Sequence, residues 1–136
     1  MEHNTSESII LLHTHCDTGN AQTFLVSDGI ELSYFTLTSD TTKFCHEPLP
    51  QVIEINYCRA GRIGWKQGND ASVYLGPGDF CIHTMETCAH SHITLPNGYY
   101  EGMTLCIDLE KLMKNPPDLL TGTGLTVKAL LEKFCK

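Results

Sequence analysis

The stretch EINYCRAG at residues 54–61, followed by GPGD at residues 76–79, decides the fold. The first block is a Glu, six intervening residues and a Gly. The second is a Pro-Gly-Asp turn that leads into another apolar segment. Turns rich in Gly, Pro and Asp between short apolar runs are typical of all-β domains. The two blocks therefore predict a small antiparallel barrel.

Short strand segments separated by turns make up most of the chain. Asp28-Gly29 lies between two β-branched and aromatic runs, which is a strong hairpin signal. Residues 39–50 and 85–97 are predicted to be irregular. With no alternation of strands and helices, we expect a jelly roll or barrel. Strands are predicted at residues 8–13, 21–27, 30–38, 52–58, 62–67, 71–75, 80–84 and 99–107.

The apolar period changes from two to about 3.6 residues after position 108. Asp108 is predicted to be the N-cap of a helix over residues 109–114, and a second helix follows Thr123-Gly124. We interpret the apolar stripe of the second helix as a homodimer contact; the alternative is that it covers the chain's own outer sheet. The stripe consists of Val127, Leu130, Leu131 and Phe134.

Composition limits the classes of function. The 136 residues, 41% of them hydrophobic, are enough for one domain with a single core. A net charge of −7 disfavours nucleic-acid binding by this chain, because the chain repels phosphates. The seven Cys contain no C-x-x-C pair and are expected to be reduced, buried thiols. The acidic N-terminus lacks a signal-peptide pattern, so we predict a cytoplasmic protein without a membrane span.

The order of the two blocks is similar to that in cupin barrels, which often hold a catalytic metal. The metal-binding cupin signature has an H-x-H just before the Glu, whereas this chain has Glu47-Pro48-Leu49-Pro50 there. We therefore predict no metal, no cofactor and no enzymatic activity. If a metal binds, its ligands are expected to be His46, Glu54 and His90.

Alternation along residues 52–58 places Glu54, Asn56 and Cys58 on one face of a strand. The cupin pattern turns Glu54 inward, where it either contacts a ligand or pairs with Arg59 or Arg62. The aromatic and histidine residues nearby either bind the same ligand or serve packing and solvation. The predicted ligand-binding residues are Glu54, Asn56, Trp65, His83, His90 and Tyr100.

Three segments together resemble the N-terminal domain of AraC-type transcription regulators. They are IEINYCRAGR at residues 53–62, LGPGD at residues 75–79 and LPNGYYEGMTLCIDL at residues 95–109. The resemblance covers roughly residues 50 to 110, and the C-terminal helices are in keeping with it.

The resemblance implies a double-stranded β-helix that binds a small effector and forms a homodimer. It implies a sensor domain over residues 1–108, with residues 1–20 as an N-terminal arm, and a linker and dimerisation segment over residues 109–136. Such regulators bind DNA through a later helix-turn-helix pair, so the chain is expected to end before it. Alternative functions are a stand-alone cupin metalloenzyme, such as a dioxygenase or isomerase, and a carbohydrate-binding module.

Overall fold

The computed structural model describes residues 15–16, 20–38, 41–45, 51–66, 71–85, 90–114, 122–124 and 126–134. Within these ranges, the side chains of residues 15, 16, 20, 41–45, 90–92, 127, 131 and 134 are outside the description. The strands are β1 His15–Cys16, β2 Asn20–Ser27, β3 Ile30–Leu37, β4 Thr41–Cys45, β5 Val52–Gly61, β6 Ile63–Lys66, β7 Ser72–Leu75, β8 Phe80–Thr84, β9 His90–Thr94 and β10 Tyr100–Asp108. The helices are α1 Leu109–Lys114 and α2 Val127–Phe134.

The strands form two five-stranded antiparallel sheets. The first sheet has the order β1-β4-β9-β6-β7, and the second has the order β2-β3-β10-β5-β8. The chain passes from the second sheet to the first directly after Gly61, whose φ is 74°. A Cβ at this position would collide with the carbonyl of Tyr99, so the crossing requires glycine.

The prediction of a mainly β, antiparallel fold followed by two helices is confirmed. The barrel is not closed, because every hydrogen-bonded strand pair in the described ranges stays within one sheet. The two sheets instead face each other and share one core. No helix in the described part of the chain is long and apolar enough to span a membrane.

The main core lies between the two sheets. The second sheet contributes Phe35, Leu37, Val52, Cys58, Tyr100 and Cys106. The first sheet contributes Ile63, Trp65, Leu75, Ile93 and Leu95. A smaller cluster lies on the outer face of the second sheet, where α1 covers Ile30 and Ile53 with Leu109 and Leu112.

Both helices begin at a side-chain cap. The Asp108 carboxylate accepts hydrogen bonds from the backbone N–H groups of Glu110 and Lys111 at 3.1 and 3.2 Å, which confirms the predicted N-cap. The Thr126 hydroxyl accepts one from the Ala129 N–H at 3.1 Å, and α2 begins at Val127, after Thr123-Gly124 as predicted.

Two segments that were predicted to be irregular contain strands. Strand β4 lies within residues 39–50 and β9 lies within residues 85–97, and the two pair with each other from Thr41↔Thr94 to Cys45↔His90. Both carry polar residues, which hid the period-two pattern. Pairing between strands far apart in sequence stabilised them instead. The strand predicted at residues 8–13 lies outside the described residues.

Gly102 makes room for the side chain of Tyr100 on the inner face of β10. A Cβ at this position would overlap the Tyr100 hydroxyl and the Tyr57 carbonyl. These are the two groups that form a hydrogen bond of 3.3 Å, in which the Tyr100 hydroxyl donates. The small residue at 102 therefore lets an aromatic ring lie flat across the sheet.

We expect Gly102→Ala to lower the free energy of unfolding by about 1–3 kcal/mol, because the added methyl overpacks a buried site. The control is Gly76→Ala, where a Cβ would meet only the Asp79 carboxylate at 3.7 Å. Urea unfolding of both variants measures the difference. Equal stabilities would contradict the close approach of Tyr100 to residue 102.

Candidate ligand-binding site

Strand β5 turns its polar residues toward the space between the sheets. Glu54, Asn56 and Cys58 share the inner face, while Ile53 and Ile55 pack on the outer face. Cross-strand register then places Thr104 opposite Asn56, and His83 opposite Glu54. The predicted alternation is confirmed, and it collects polar groups from three strands in one region.

A chain of polar contacts crosses these strands. The Thr104 hydroxyl donates to the Asn56 Oδ1 at 2.6 Å, and the Asn56 Nδ2 donates to the Glu54 Oε1 at 3.0 Å. The Glu54 Oε2 lies 3.7 Å from the His83 Nε2. The His83 Nδ1 in turn lies 3.7 Å from the Cys81 Sγ. Hydroxyl, amide, carboxylate, imidazole and thiol thus form one continuous row.

This row is buried at His83 and Thr104 and half-buried at Glu54, Asn56 and Cys81, where burial of polar groups is costly. His83 is only 8% exposed and Thr104 only 5%. An acid, an imidazole and an amide in the core stabilise the fold less than apolar residues of similar size would. Polar clusters of this kind are typical of functional sites. The Glu54–His83 pair can exchange hydrogen bonds with a ligand, and it can hold or transfer a proton.

Trp65 forms the wall opposite His83. It belongs to the first sheet, and its ring lies edge-on to the imidazole, with a centroid distance of 5.9 Å and an interplanar angle of 60°. Trp65 is 7% exposed, yet its indole N–H has no hydrogen-bond partner in the described structure. A buried N–H without an acceptor costs free energy that a bound acceptor would recover.

Tyr100 closes one end of the same interior. Its side chain is buried, and its hydroxyl donates to the Tyr57 carbonyl. Burial, followed by the negative charges of Cys58, Cys81 and Glu54, raises the pKa of Tyr100 far above 10.0. The phenol therefore remains a neutral hydrogen-bond donor across the physiological pH range.

Neither arginine considered as a partner of Glu54 contacts it. Arg59 forms an exposed ion pair with Glu101 at 2.9 Å. Arg62 lies over the ring of Tyr74, with its guanidinium carbon 5.2 Å from the centroid. Glu54 is instead held by Asn56 and His83, so the alternative of an arginine-paired Glu54 is wrong.

Sequence reasoning missed other members of the site. Glu31 is 1% exposed and shares a cross-strand row with Cys106, Glu54 and His83. Thr104 and Cys81 were also missed, although both complete the row of contacts. The pattern IELSYF at residues 30–35 puts Glu31 in step with Ser33 and Phe35, but nothing local told which face is inward.

The predicted histidine ligands are only partly described. His46 lies outside the described residues, and His90 has a described backbone in β9 without a described side chain. Glu54 and His83 carry side chains that commonly serve as metal ligands. In the described ranges, however, no group of three His, Cys, Asp or Glu residues could hold an ion. The set His46, Glu54 and His90 stays a prediction.

The C-terminal stripe is described at one position. Leu130 packs against the cluster formed by Ile30, Ile53, Leu109 and Leu112 within the same chain. The side chains of Val127, Leu131 and Phe134 lie outside the description. The dimer contact through α2 stays a prediction, and Leu130 serves intrachain packing.

The described cysteines are reduced thiols, as expected. Cys58 and Cys106 are fully buried, and Cys81 is half-buried. The Cys58 thiol points at the carbonyls of Ala60 and Gly61, each at 3.6 Å. Burial, and secondarily the charge of Asp79, raises the pKa of Cys58 above 9.0 and keeps its thiol protonated.

With this geometry in hand, comparison with known proteins shows the kind of fold. The chain is similar to a cupin 2 conserved barrel domain protein from Salinispora arenicola, with 15% identity, a TM-score of 0.55, and coverage of 84% of this chain and 94% of that one. It is also similar to the Cupin_2 domain of an XRE family transcriptional regulator from Enterobacter cloacae, with 12% identity, a TM-score of 0.55, and coverage of 67% and 97%. The chain has a cupin-like fold.

The same fold occurs in longer regulators. An HTH_3 family transcriptional regulator from Vibrio cholerae matches with 14% identity and a TM-score of 0.55 over 66% of this chain. The match spans about half, 51%, of the length of that protein. No family model and no curated protein matches the sequence. These likenesses show the fold alone.

The prediction that the chain is not an enzyme was wrong. Ectoine synthase from P. lautus has the same fold, with 12% identity, a TM-score of 0.52, and coverage of 75% of this chain and 76% of that one. The missing H-x-H was therefore too narrow a basis for excluding catalysis, since this architecture occurs in regulators and in enzymes alike.

The raised pKa values of the Cys58 thiol and the Tyr100 phenol predict a loss of stability at alkaline pH. Cys58 and Tyr100 have pKa values raised above their ordinary values of 9.0 and 10.0, so the folded state keeps protons that the unfolded chain releases. The free energy of unfolding should be level below about pH 9 and then fall, by up to about 1.4 kcal/mol per pH unit and group. Urea unfolding between about pH 7 and pH 11 measures this.

Tyr100→Phe isolates one group and should make the decline above about pH 10 shallower. The control is Tyr74→Phe, because the hydroxyl of that half-exposed residue meets solvent in both states. A decline that Tyr100→Phe leaves unchanged would show that the phenol does not contribute.

Proposed function

We propose that the chain is the effector-binding domain of an AraC-type transcription regulator. In this proposal, a small polar molecule binds between the two sheets of a double-stranded β-helix. The observation that carries the proposal is the partly buried polar row at Glu54, Asn56 and His83, whose imidazole contacts the ring of Trp65, a residue with an indole N–H that has no partner in the described structure.

The polar row sets what such a molecule must offer. Glu54 is half-buried and accepts hydrogen bonds, so it fits a hydroxyl or an N–H of the ligand. The indole N–H of Trp65 requires an acceptor, such as a hydroxyl or carbonyl oxygen. A ligand that carries both a hydrogen-bond donor and an acceptor can bind Glu54 and the Trp65 indole N–H at the same time. Sugars and urea have this character, as do polar aromatic acids and bile acids.

A role in transcription is supported by two observations. The segments at residues 53–62, 75–79 and 95–109 resemble AraC-type regulators, and the fold resembles the cupin domain of a transcriptional regulator. The net charge of −7 fits a domain that senses a ligand and leaves DNA contact to another part of the protein.

Trp65 is the single tryptophan, so its fluorescence reports on the site directly. We expect at least one compound from a panel of sugars, urea, bile acids and aromatic acids to shift or quench its emission saturably. In Glu54→Gln the affinity for that compound should fall about 10- to 100-fold, because a charge-assisted hydrogen bond is lost. His83→Gln should weaken binding as well.

The matched control is Glu101→Gln, which removes a carboxylate that is paired with Arg59 on the surface. It should leave the affinity unchanged. A bound compound whose affinity is the same in Glu54→Gln and wild type would contradict the site. NMR spectra of the compound after incubation would reveal chemical conversion, which would make the Glu54–His83 pair catalytic rather than sensory.

The proposed AraC-type function predicts a DNA-binding part in the full-length protein. The coding sequence downstream of the Lys136 codon should encode basic helices with helix-turn-helix spacing. Sequencing that region is the measurement. A stop codon directly after Lys136 would contradict the AraC-type assignment without touching the ligand site.

A further inference from the structure

The outer face of the second sheet carries an uncovered apolar surface. Cross-strand register aligns two rows across all five strands, β2, β3, β10, β5 and β8. One row contains Gln22, Tyr34, Met103, Tyr57 and Phe80. The next row contains Phe24, Leu32, Leu105, Ile55 and Ile82. We call these ten residues the outer apolar face.

This face is exposed in the described chain. Phe80 is 64% exposed, Phe24 52% and Tyr34 45%, while Tyr57 and Ile82 are each more than a third exposed. The adjacent row, at Ile30 and Ile53, is covered by α1 and Leu130, and of the ten residues only Ile55 and Leu105 pack against that cover. The face is thus the open continuation of an apolar surface that the chain covers only in part.

Its size and composition match the core of a protein interface. Strands about 4.8 Å apart give the five-stranded face a width of roughly 20–25 Å. At about 150–250 Å² per aromatic side chain, the exposed parts of the four aromatics alone present roughly 300–500 Å². A patch of this size is usually functional in a monomer. Phe, Tyr and Met are the residues enriched in interface cores.

The absence of charge on the outer apolar face favours a second copy of this acidic chain as its binding partner. None of the ten positions carries an ionisable charge near neutral pH, although the whole chain carries −7. Next to the face, Arg59 and Glu101 form an ion pair at 2.9 Å. Two acidic chains that meet elsewhere bring like charges together, whereas contact through this face brings none. An uncharged face offers nothing to select a charged partner.

We propose that the outer apolar face binds the same face of a second copy of this chain. The contact is isologous, with two twisted sheets packed face to face about 10 Å apart, as sheets pack inside β-sandwiches. This dimer does not depend on α2 or on the identity of the ligand.

Sedimentation velocity of residues 1–136 at about 1–50 μM tests the proposal. We expect a species of twice the 15.1 kDa chain mass. Phe80→Glu and the double variant Phe24→Glu/Tyr34→Glu each place charge on exposed positions of the face. Each should weaken the dimer at least 100-fold while the circular dichroism of the β fold is retained.

The matched control is Tyr74→Glu, which places the same charge at a half-exposed aromatic of the first sheet, outside the face. It should leave the dimer intact. A wild-type protein that is monomeric at 50 μM overturns the proposal. So does a dimer that survives both face variants but dissociates in Phe134→Asp, which would place the contact on α2. A monomer that dimerises only after residues 1–14 are deleted also overturns it, since the chain's own segment then occupies the face.

Discussion

The amide of Asn56 ties the interior of the molecule together. It accepts from Thr104 on β10 and donates to Glu54 on its own strand, and Glu54 then meets His83 on β8. Without this amide, Glu54 would lose a partner in a region where an unsatisfied carboxylate is costly. Asn56 thus helps to orient Glu54 and links β10 to the polar row.

The second sheet is unusual on both faces. Its inner face carries acid, imidazole, amide and hydroxyl groups in a layer that the first sheet covers. Its outer face carries Phe, Tyr, Ile and Leu in a layer that helices cover only in part. Antiparallel sheets commonly have an apolar inner face and a polar outer face in water, so the polar groups inside and the exposed aromatic residues outside both depart from the usual pattern. These two departures are the basis of the two binding sites that we propose, one for a small molecule and one for a second copy of the chain.

The two layers are compatible because the inner face is only locally polar. Two neighbouring cross-strand rows are apolar or aromatic: one contains Phe35 and Cys58, and the next contains Leu37 and Tyr100. They share the core with Ile63, Trp65 and Leu95 from the side of the first sheet. These residues supply the burial that holds the sheets together. The Glu54–His83 level can then remain polar, because it does not have to provide the stability of the sandwich.

The sequence by itself determined the local structure that short-range chemistry specifies. The Asp28-Gly29 hairpin, the alternation at residues 53–58 and the Asp108 cap all follow from backbone sterics, period and side-chain hydrogen bonding within a few residues. Alternation at Glu54 and Asn56, with the cupin pattern, also predicted one site that includes His83, Trp65 and Tyr100, as well as His90, whose side chain is outside the description. The structure places the other five between the two sheets.

The tertiary structure alone decided which partners those residues meet. Strands β4 and β9 exist because each supplies the other's hydrogen bonds across almost fifty residues, a contribution that no local window contains. Register between β5 and β8 placed His83, and not an arginine, opposite Glu54. The pairing of β10 with β3 and β5 placed the unforeseen Glu31 in line with them. The outer apolar face has the same origin. Its residues come from five strands, and only their pairing shows that they form one surface.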